Sequence, residues 1–219
     1  NTELRDKYNS ILHYLMHQKT KEDLDTEEIL FIKGRIRREE ATTATRYVGI
    51  PDENVHFLDL PFYDTGKVKK NPISEVDVHI VKDFIETVKP HQMFVAGDLA
   101  DPHGTHKVCL DAIFAAVDIM KEDEWMKDCR IWMYRGAWDE WEIDHIEMAV
   151  PLSPEELRQK RNSILKHQSQ MENAPFLGGD ERLFWQRSED RNRATADLYR
   201  KLGLASYEAI EAFVEYHPL

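Results

Sequence analysis

The stretch that decides the fold is residues 92–106, QMFVAGDLADPHGTH. Its first five residues are mostly apolar, include an aromatic and a β-branched side chain, and lie between Pro90 and Gly97, which predicts a short buried strand. A polar loop follows, and the largely apolar run 108–120 predicts a helix behind it. In an open α/β sheet, ligands bind where loops leave the carboxyl ends of strands, so this loop is the first candidate for a site.

Two histidines in this loop, His103 and His106, form an H-x-x-H pair beside Asp98 and Asp101. Imidazole is a common ligand of zinc and related ions. The amino-terminus of a helix also favours neutral imidazole, which is the form that a metal needs. The alternative is an ordinary polar surface loop, but the position between a strand and a helix favours the metal site.

The overall composition restricts the class of protein. The 219 residues carry 29 basic and 41 acidic side chains, a net charge of −12 that argues against binding to nucleic acid. Cys109 and Cys129 are the two cysteines, so we expect no disulfide framework and a reducing, cytoplasmic location. The longest apolar run is interrupted by Asp111 and Asp118, which argues against a membrane span.

Helical and extended patterns alternate along the chain. Apolar spacing and capping signals predict helices over 2–18, 25–49, 74–90, 108–120 and 153–171, and a helical region from 180 with a short amphipathic end at 206–216. Strands are predicted over 55–60, 92–96 and 130–135. This alternation predicts a layered α/β fold whose strands lie side by side in a mainly parallel sheet, with helices on both faces.

Several short motifs occur in a fixed order. They are an R-x-x-E-A helix at 37–41 that ends at 47–50, a strand and acidic turn at 57–64, the histidine loop at 101–106, an H-x-S-Q segment at 167–170 and a closing pattern at 207–213. This order resembles the PIG-L/LmbE family of zinc-dependent deacetylases, which remove acetyl groups from N-acetylglucosamine-type sugars. The resemblance covers roughly residues 29–213.

The resemblance implies a three-layer, Rossmann-like sheet and a single LmbE-like domain over 1–219, with a core at 25–171 and a helical carboxyl-terminal region at 172–219. Family members begin with a strand ending in His-Pro-Asp-Asp, which supplies two zinc ligands and the catalytic base. That tetrapeptide does not occur in this chain. We therefore expect the domain to lack its first strand. The chain is similar to the carboxyl-terminal domain of longer bacterial proteins in which a LmbE-like domain follows a glucosamine-6-phosphate deaminase-like domain.

By the same resemblance, His106 is a zinc ligand and His103 is a catalytic residue that stabilises the oxyanion. Arg37 is expected to hold an anionic or hydroxylated part of the substrate, and His167 to lie at the edge of the pocket. The family has an aspartate directly before the second histidine, where this chain has Thr105.

Each of these residues also has a purely structural interpretation. From spacing alone, Arg37 and Glu40 are better explained as a solvated ion pair within one helix. His167 is as well explained as a half-buried structural histidine. Trp138 and Trp141 could stack on a sugar ring, but aromatic side chains are more often packing anchors.

Two classes of function remain. The first is zinc-dependent deacetylation of an N-acetylglucosamine-type substrate in the intact protein, with this chain alone inactive and its zinc site incomplete. The second is a non-catalytic sugar-binding or regulatory module attached to a glucosamine-6-phosphate deaminase (isomerase). In both, the expected partner is an amino-sugar small molecule rather than nucleic acid or a membrane, and self-association into a homo-oligomer is expected.

Overall fold

The computed structural model describes residues 2–20, 23–63, 71–97, 104–137, 139–171 and 181–217. Within them, the helices are α1 (Thr2–His17), α2 (Glu27–Tyr47), α3 (Glu75–Val88), α4 (Thr105–Met120), α5 (Pro154–Ile164) and α6 (Phe184–Lys201). The strands are β1 (Gln92–Ala96), β2 (Arg130–Tyr134), β3 (Met148–Leu152) and β4 (Ala209–Glu215). Short 3₁₀ turns occupy Asp52–Asn54, Pro61–Tyr63, Glu124–Asp128 and Gln168–Gln170.

The four strands form one mixed sheet in the order β1-β2-β4-β3. β1 and β2 are parallel, with Gln92 opposite Arg130, as the sequence predicts. β4 runs antiparallel to both β2 and β3. The α/β class and the adjacent parallel pair are therefore confirmed. Among the described strands, two of the three pairings are antiparallel, so the sheet is mixed rather than mainly parallel as predicted.

Helices cover both faces of this sheet. On one face, α3 and α4 bury an apolar core that includes Val81 and Val117, together with Val95 of β1 and Ile131 of β2. On the other face, α6 is bonded to β4, where the Asn192 amide donates to the backbone oxygen of Ile210 at 2.9 Å. The sheet is thus the middle layer of three, and the carboxyl ends of β1 and β2 lie at one edge of it.

Capping residues fix where two helices begin. Ser74 and Asp77 form the predicted capping box of α3, and Ser153 and Glu156 form that of α5. The helix predicted from residue 25 begins slightly later, because the side chain that caps α2 is that of Thr26 and the first helical residue is Glu27.

The predicted strand over 55–60 is wrong. This segment is irregular and lies between two 3₁₀ turns, with Asp59 in the left-handed region at φ 51°. A positive φ at a non-glycine residue interrupts the extended backbone that a strand needs. Leu58 and Leu60 nevertheless pack against the core of α3 and α4. The alternation of apolar and polar residues in this segment therefore arises from its half-buried position against helices and not from a strand.

The predicted helical end at 206–216 is also wrong, because residues Ala209–Glu215 form β4. Pairing with a strand on each side outweighs the helix-forming tendency of its alanine and glutamate residues. β3 was not predicted. It contains Pro151, which a strand tolerates at the edge of a sheet, where β3 lies.

Cys109 and Cys129 are both free thiols. Among the described residues, no helix combines the length and apolar character needed to cross a membrane.

Candidate functional site

Arg37 lies on the exposed side of α2, in the motif that matches the R-x-x-E-A helix. Its guanidinium donates to the hydroxyl of Tyr63 at 3.2 Å, across 26 residues of sequence. This contact brings the end of the 52–63 segment next to α2. One phenol oxygen engages one of the five N–H donors, so the remaining donors of Arg37 can serve a ligand.

Glu40, one helical turn after Arg37, joins two distant motifs. Its carboxylate accepts hydrogen bonds from the backbone N–H and the hydroxyl of Ser169, each at 2.7 Å. The ion pair between Arg37 and Glu40, preferred from spacing alone, does not occur among the ion pairs of the described residues, so that interpretation is wrong. The R-x-x-E-A helix and the H-x-S-Q segment instead contact each other over 129 positions.

His167 lies two residues before Ser169 and is half-buried. It precedes the turn Gln168–Gln170. Its backbone N–H donates to the backbone oxygen of Ile164 at 3.1 Å, and its backbone oxygen accepts from the N–H of Gln170 at 3.0 Å. The histidine backbone is thus fixed at the end of α5, beside α2. The structure therefore brings Arg37 and His167 onto adjoining segments, while both interpretations of the imidazole remain compatible with its partial burial.

The contact between α2 and α5 is held at several further points. The Asn162 amide donates to the Tyr47 hydroxyl at 3.0 Å, and the Lys166 ammonium lies 4.8 Å from the centre of the same ring. The Ser163 hydroxyl donates to the oxygen of Ala44 at 3.4 Å. Together with the Glu40–Ser169 pair, these polar contacts hold the end of α5 and the turn after it against α2.

His106 is the second residue of α4, and its side chain is exposed. The residue before the helix, Gly104, has φ 68°, which glycine adopts without strain and which turns the chain into α4. His103, the predicted catalytic residue, lies outside the described residues, as do Asp98 and Asp101. The expected convergence of His103, His106 and His167 on one cleft therefore stays a prediction.

Zinc would need at least three converging protein ligands. Among the described residues, no group of three or more histidine, cysteine, aspartate or glutamate side chains is placed to hold a metal ion. His106 is thus the one described candidate ligand from the sequence analysis, and these residues alone do not fit a zinc site.

Trp141 packs over the carboxyl end of β1. A Cβ at Gly97 would lie 2.8 Å from Met133 Cβ and 3.0 Å from the Trp141 ring, so only glycine fits there. The Arg135 guanidinium also lies 4.0 Å from the centre of the indole. The indole is therefore occupied by protein contacts, which favours the packing interpretation of Trp141. Trp138 lies outside the described residues.

A buried ionic network connects the loop after β2 to the two carboxyl-terminal helices. Arg191 donates to Glu140 at 2.6 Å and to Glu211 at 2.7 Å, and Thr195 donates to Glu140 at 2.9 Å. Lys160 forms a second ion pair with Glu211. The network thereby fixes the loop that leaves the carboxyl end of β2.

The charges of this network perturb one another. Burial raises the pKa of the Glu211 carboxyl, but the cations of Lys160 and Arg191 outweigh it and hold the pKa below its ordinary value. Burial lowers the pKa of the Lys160 ammonium, against the opposite effect of Glu211. Burial and the Glu211 charge together raise the pKa of the Tyr134 phenol. At neutral pH the carboxylate is therefore ionised and paired.

The sequence analysis missed this network and the Glu40–Ser169 pair. The ion pairs and the Glu40–Ser169 bond join residues that are 20 to 129 positions apart, and no short motif or helical spacing links residues so far apart. The closing pattern at 207–213 does contain Glu211, but its local spacing gave no indication of a buried partner.

Comparison with known proteins places this geometry in context. No protein-family model matches the chain. A protein of Bacteroides thetaiotaomicron described as glucosamine-6-phosphate deaminase-like is 70% identical over 218 residues, which are 99% of this chain and 33% of that protein. The chain thus spans about one third of the length of this relative.

Solved structures share the fold at low sequence identity. The match to the 4-carboxy-2-hydroxymuconate hydratase GalB of Pseudomonas putida covers 93% of this chain and 80% of the hydratase chain, with a TM-score of 0.58 and 16% identity. A conserved protein of Thermus thermophilus matches 94% of this chain and 79% of its own, with a TM-score of 0.50 and 18% identity. For a deacetylase of teicoplanin biosynthesis, the shares are 89% and 77%, with a TM-score of 0.50 and 15% identity.

These comparisons confirm the recognition made from the motifs. The chain has the α/β fold of LmbE/PIG-L-type deacetylases, and it is similar to one third of a glucosamine-6-phosphate deaminase-like protein. The fold also occurs in a hydratase, so it does not by itself determine the reaction.

Proposed function

We propose that this chain is the LmbE-like part of an amino-sugar hydrolase that, in the intact protein, removes the acetyl group of an N-acetylglucosamine-type substrate. The observation that carries this proposal is the bond between Glu40 and Ser169. It joins the two segments that match the family's R-x-x-E-A and H-x-S-Q motifs, which lie far apart in the sequence. Arg37 and His167 therefore lie on adjoining segments, as a shared pocket requires.

Arg37 is the residue that we assign to substrate binding. Its exposed guanidinium has donors besides the one engaged by Tyr63, and a planar guanidinium suits a phosphate, carboxylate or pair of hydroxyl groups. His167 is assigned to the edge of the same pocket, and His103 keeps the catalytic role that the resemblance implies.

Zinc in the intact protein is also part of this proposal, with His106 as the ligand from this chain. The described residues do not complete a zinc site, so we derive no step through the metal. We expect the purified 219-residue chain to hold well below one zinc per molecule. Elemental analysis that finds stoichiometric zinc, lost in His106→Ala, would contradict this expectation.

The activity is tested on a full-length protein of the relative's length. It is incubated with N-acetylglucosamine and with N-acetylglucosamine 6-phosphate, and released acetate is measured. We expect acetate release that His106→Ala abolishes and that the control His79→Ala, an exposed histidine on α3, leaves intact. Acetate release unchanged in His106→Ala would contradict the assigned site.

The second candidate function is a non-catalytic sugar-binding or regulatory module. It is favoured by the lack of a complete metal-ligand set among the described residues. Binding of either sugar by calorimetry, reduced by Arg37→Ala and without any acetate release, would support this candidate instead of the deacetylase.

A further inference from the structure

α1 is attached to the rest of the structure by few contacts. Of its described side chains, only those of Ile11 and Tyr14 are even partly buried. An isolated helix of 16 residues is marginal in water, because most helical stability in proteins comes from packing of an apolar face. A further surface that covers the exposed apolar side chains of α1 would therefore stabilise this helix.

The apolar residues of α1 that remain exposed lie on one face. Tyr8, Leu12 and Leu15 are 57%, 36% and 39% exposed, and they follow one another at the four- and three-residue spacing of a packed helix. Met16, next to this face, is 71% exposed. Such a run of unburied apolar side chains on one helix is typical of an interface.

α2 supplies the other wall of a groove. An open groove of about 940 Å³ runs between the two helices, with Tyr8 and Ile11 on one side and Phe31 and Ile32 on the other. Phe31 is 69% exposed although it lies well inside an amphipathic helix. Charged side chains also line the groove: Arg5 and Lys7 on α1, and Glu27 and Glu28 on α2. An apolar floor bordered by charges of both signs suits an amphipathic helix better than a small polar ligand.

Ion pairs near the linker hold α1 in position beside α2. Asp25 pairs with Lys33 of α2 at 2.7 Å and with Lys19, just after α1, at 3.3 Å. Burial raises the pKa of Asp25, but hydrogen bonds and charge from the two lysines hold it below its ordinary value. The carboxylate stays ionised at neutral pH, so these ion pairs hold the two walls of the groove together.

We propose that this groove, formed by α1 and the first half of α2, is the docking surface for the remaining two thirds of the longer protein. The occupant is inferred from the length of the 70% identical relative. The region shared with this chain is 33% of that protein, so about two thirds of it lies outside the shared region. The groove exposes large apolar side chains that the described part of this chain leaves uncovered, and a neighbouring part of the same protein is present at high effective concentration to cover them. The proposal does not depend on the deacetylase activity.

The test is hydrogen exchange of the α1 amides, measured in the 219-residue chain and in a full-length protein of the relative's length. We expect α1 to exchange rapidly in the short chain and at least about tenfold more slowly in the long one, because docking buries its apolar face. Exchange in α3 and β1, which lie in the core, serves as the internal reference. Equal exchange of α1 in both proteins overturns the proposal.

Matched variants in the full-length protein identify the face. Tyr8→Glu places a charge in the groove and should return α1 to rapid exchange. Asn9→Glu introduces the same residue at an exposed position that does not line the groove, about 100° further around the helix, and should leave the slow exchange intact. Loss of protection in both variants, or in neither, would overturn the assignment of this face.

A second copy of the chain is the competing occupant. Slow α1 exchange in the 219-residue chain that becomes slower with rising protein concentration, together with a dimer in sedimentation, would show self-association and overturn the proposal. Docking within one molecule instead gives protection that is independent of concentration.

Discussion

The two faces of the sheet are stabilised in different ways. Beneath α3 and α4, the buried core side chains are apolar except for Asp77 near the start of α3. Beneath α5 and α6, most of the buried residues of α6 are polar or charged: Ser188, Glu189, Arg191, Asn192 and Thr195. The stability of the first face therefore depends on close packing and on the exclusion of water. The stability of the second face depends on each charge retaining its partner.

This difference matters for the candidate site. The charged face anchors the loop after β2 through Glu140 and continues towards the α2–α5 junction through Lys160 of α5. The apolar face positions β1 and the start of α4, where His106 lies. A polar network can fix the orientation of side chains that an apolar core leaves free, at the cost of vulnerability to the loss of one member.

The largest effect is expected for Arg191→Ala. The arginine is 9% exposed and bonds two carboxylates, so its removal leaves Glu140 and Glu211, 16% and 15% exposed, without that charge. We expect a loss of about 4 kcal/mol in the free energy of unfolding, in the range for breaking a buried pair. Urea unfolding followed by circular dichroism measures it. Arg200→Ala, on the exposed part of the same helix, should change stability by less than about 1 kcal/mol.

The apolar face should respond somewhat less to a comparable deletion. Met120 of α4 is 1% exposed in the core, and Met120→Ala should cost about 3 kcal/mol through lost burial and the cavity that remains. The exposed Ile119→Ala is the matched control and should cost under about 1 kcal/mol. If Met120→Ala proved clearly more destabilising than Arg191→Ala, the ionic face would be the less important of the two.

The contrast between the faces also explains how much the sequence could predict. The capping box at Ser74 and the apolar period of α3 are local, so the helix was located correctly, and β1 was predicted at its observed bounds. The network of Arg191 and Glu211 depends on contacts between residues 20 apart that only the fold brings together. Glu211 stands in a segment with helix-forming residues that becomes a strand through pairing, which no local pattern encodes.

The same reasoning applies to the candidate site. The motif resemblance identified Arg37 and His167, whose segments do lie side by side, yet the spacing within α2 predicted an ion pair where Glu40 instead bonds Ser169. The histidine loop that motivated the metal prediction is only partly described, from Gly104 onward. Short-range patterns thus located the segments of the site and not the bonds that connect them.

A smaller, pH-dependent effect is expected at Asp77, the buried carboxylate on the apolar face. Burial raises its pKa, but hydrogen bonds from Ser74 and from the Phe62 N–H outweigh this and hold it below its ordinary value. A carboxyl with a lowered pKa in the folded state adds stability at neutral pH, which is lost as the pH falls below about 4. Asp77→Asn should therefore cost roughly 1–2 kcal/mol at pH 7 and much less at about pH 3.

Thermal unfolding from about pH 7 to about pH 3 checks this expectation. Asp83→Asn replaces an exposed carboxylate of the same helix and should show no such convergence with the parent protein. A constant difference between Asp77→Asn and the parent across this range would mean that the carboxylate charge does not contribute.

The smallest effect on stability is expected where the polar face meets the candidate site, at Glu40 and Ser169. Both are at or near the surface, so a double-mutant cycle of Glu40→Gln and Ser169→Ala should give a coupling of only about 0.5–1 kcal/mol. The control cycle of Glu39→Gln with Ser169→Ala should give no coupling, because Glu39 is directed to Arg35 instead. The cycle uses urea unfolding. A coupling near zero for Glu40 would show that the two motifs touch without holding each other. A measurable coupling would mean that this bond keeps the segment of His167 beside Arg37. A bond of this strength is too weak to be required for folding. Such a contact is expected where it serves the geometry of a binding pocket.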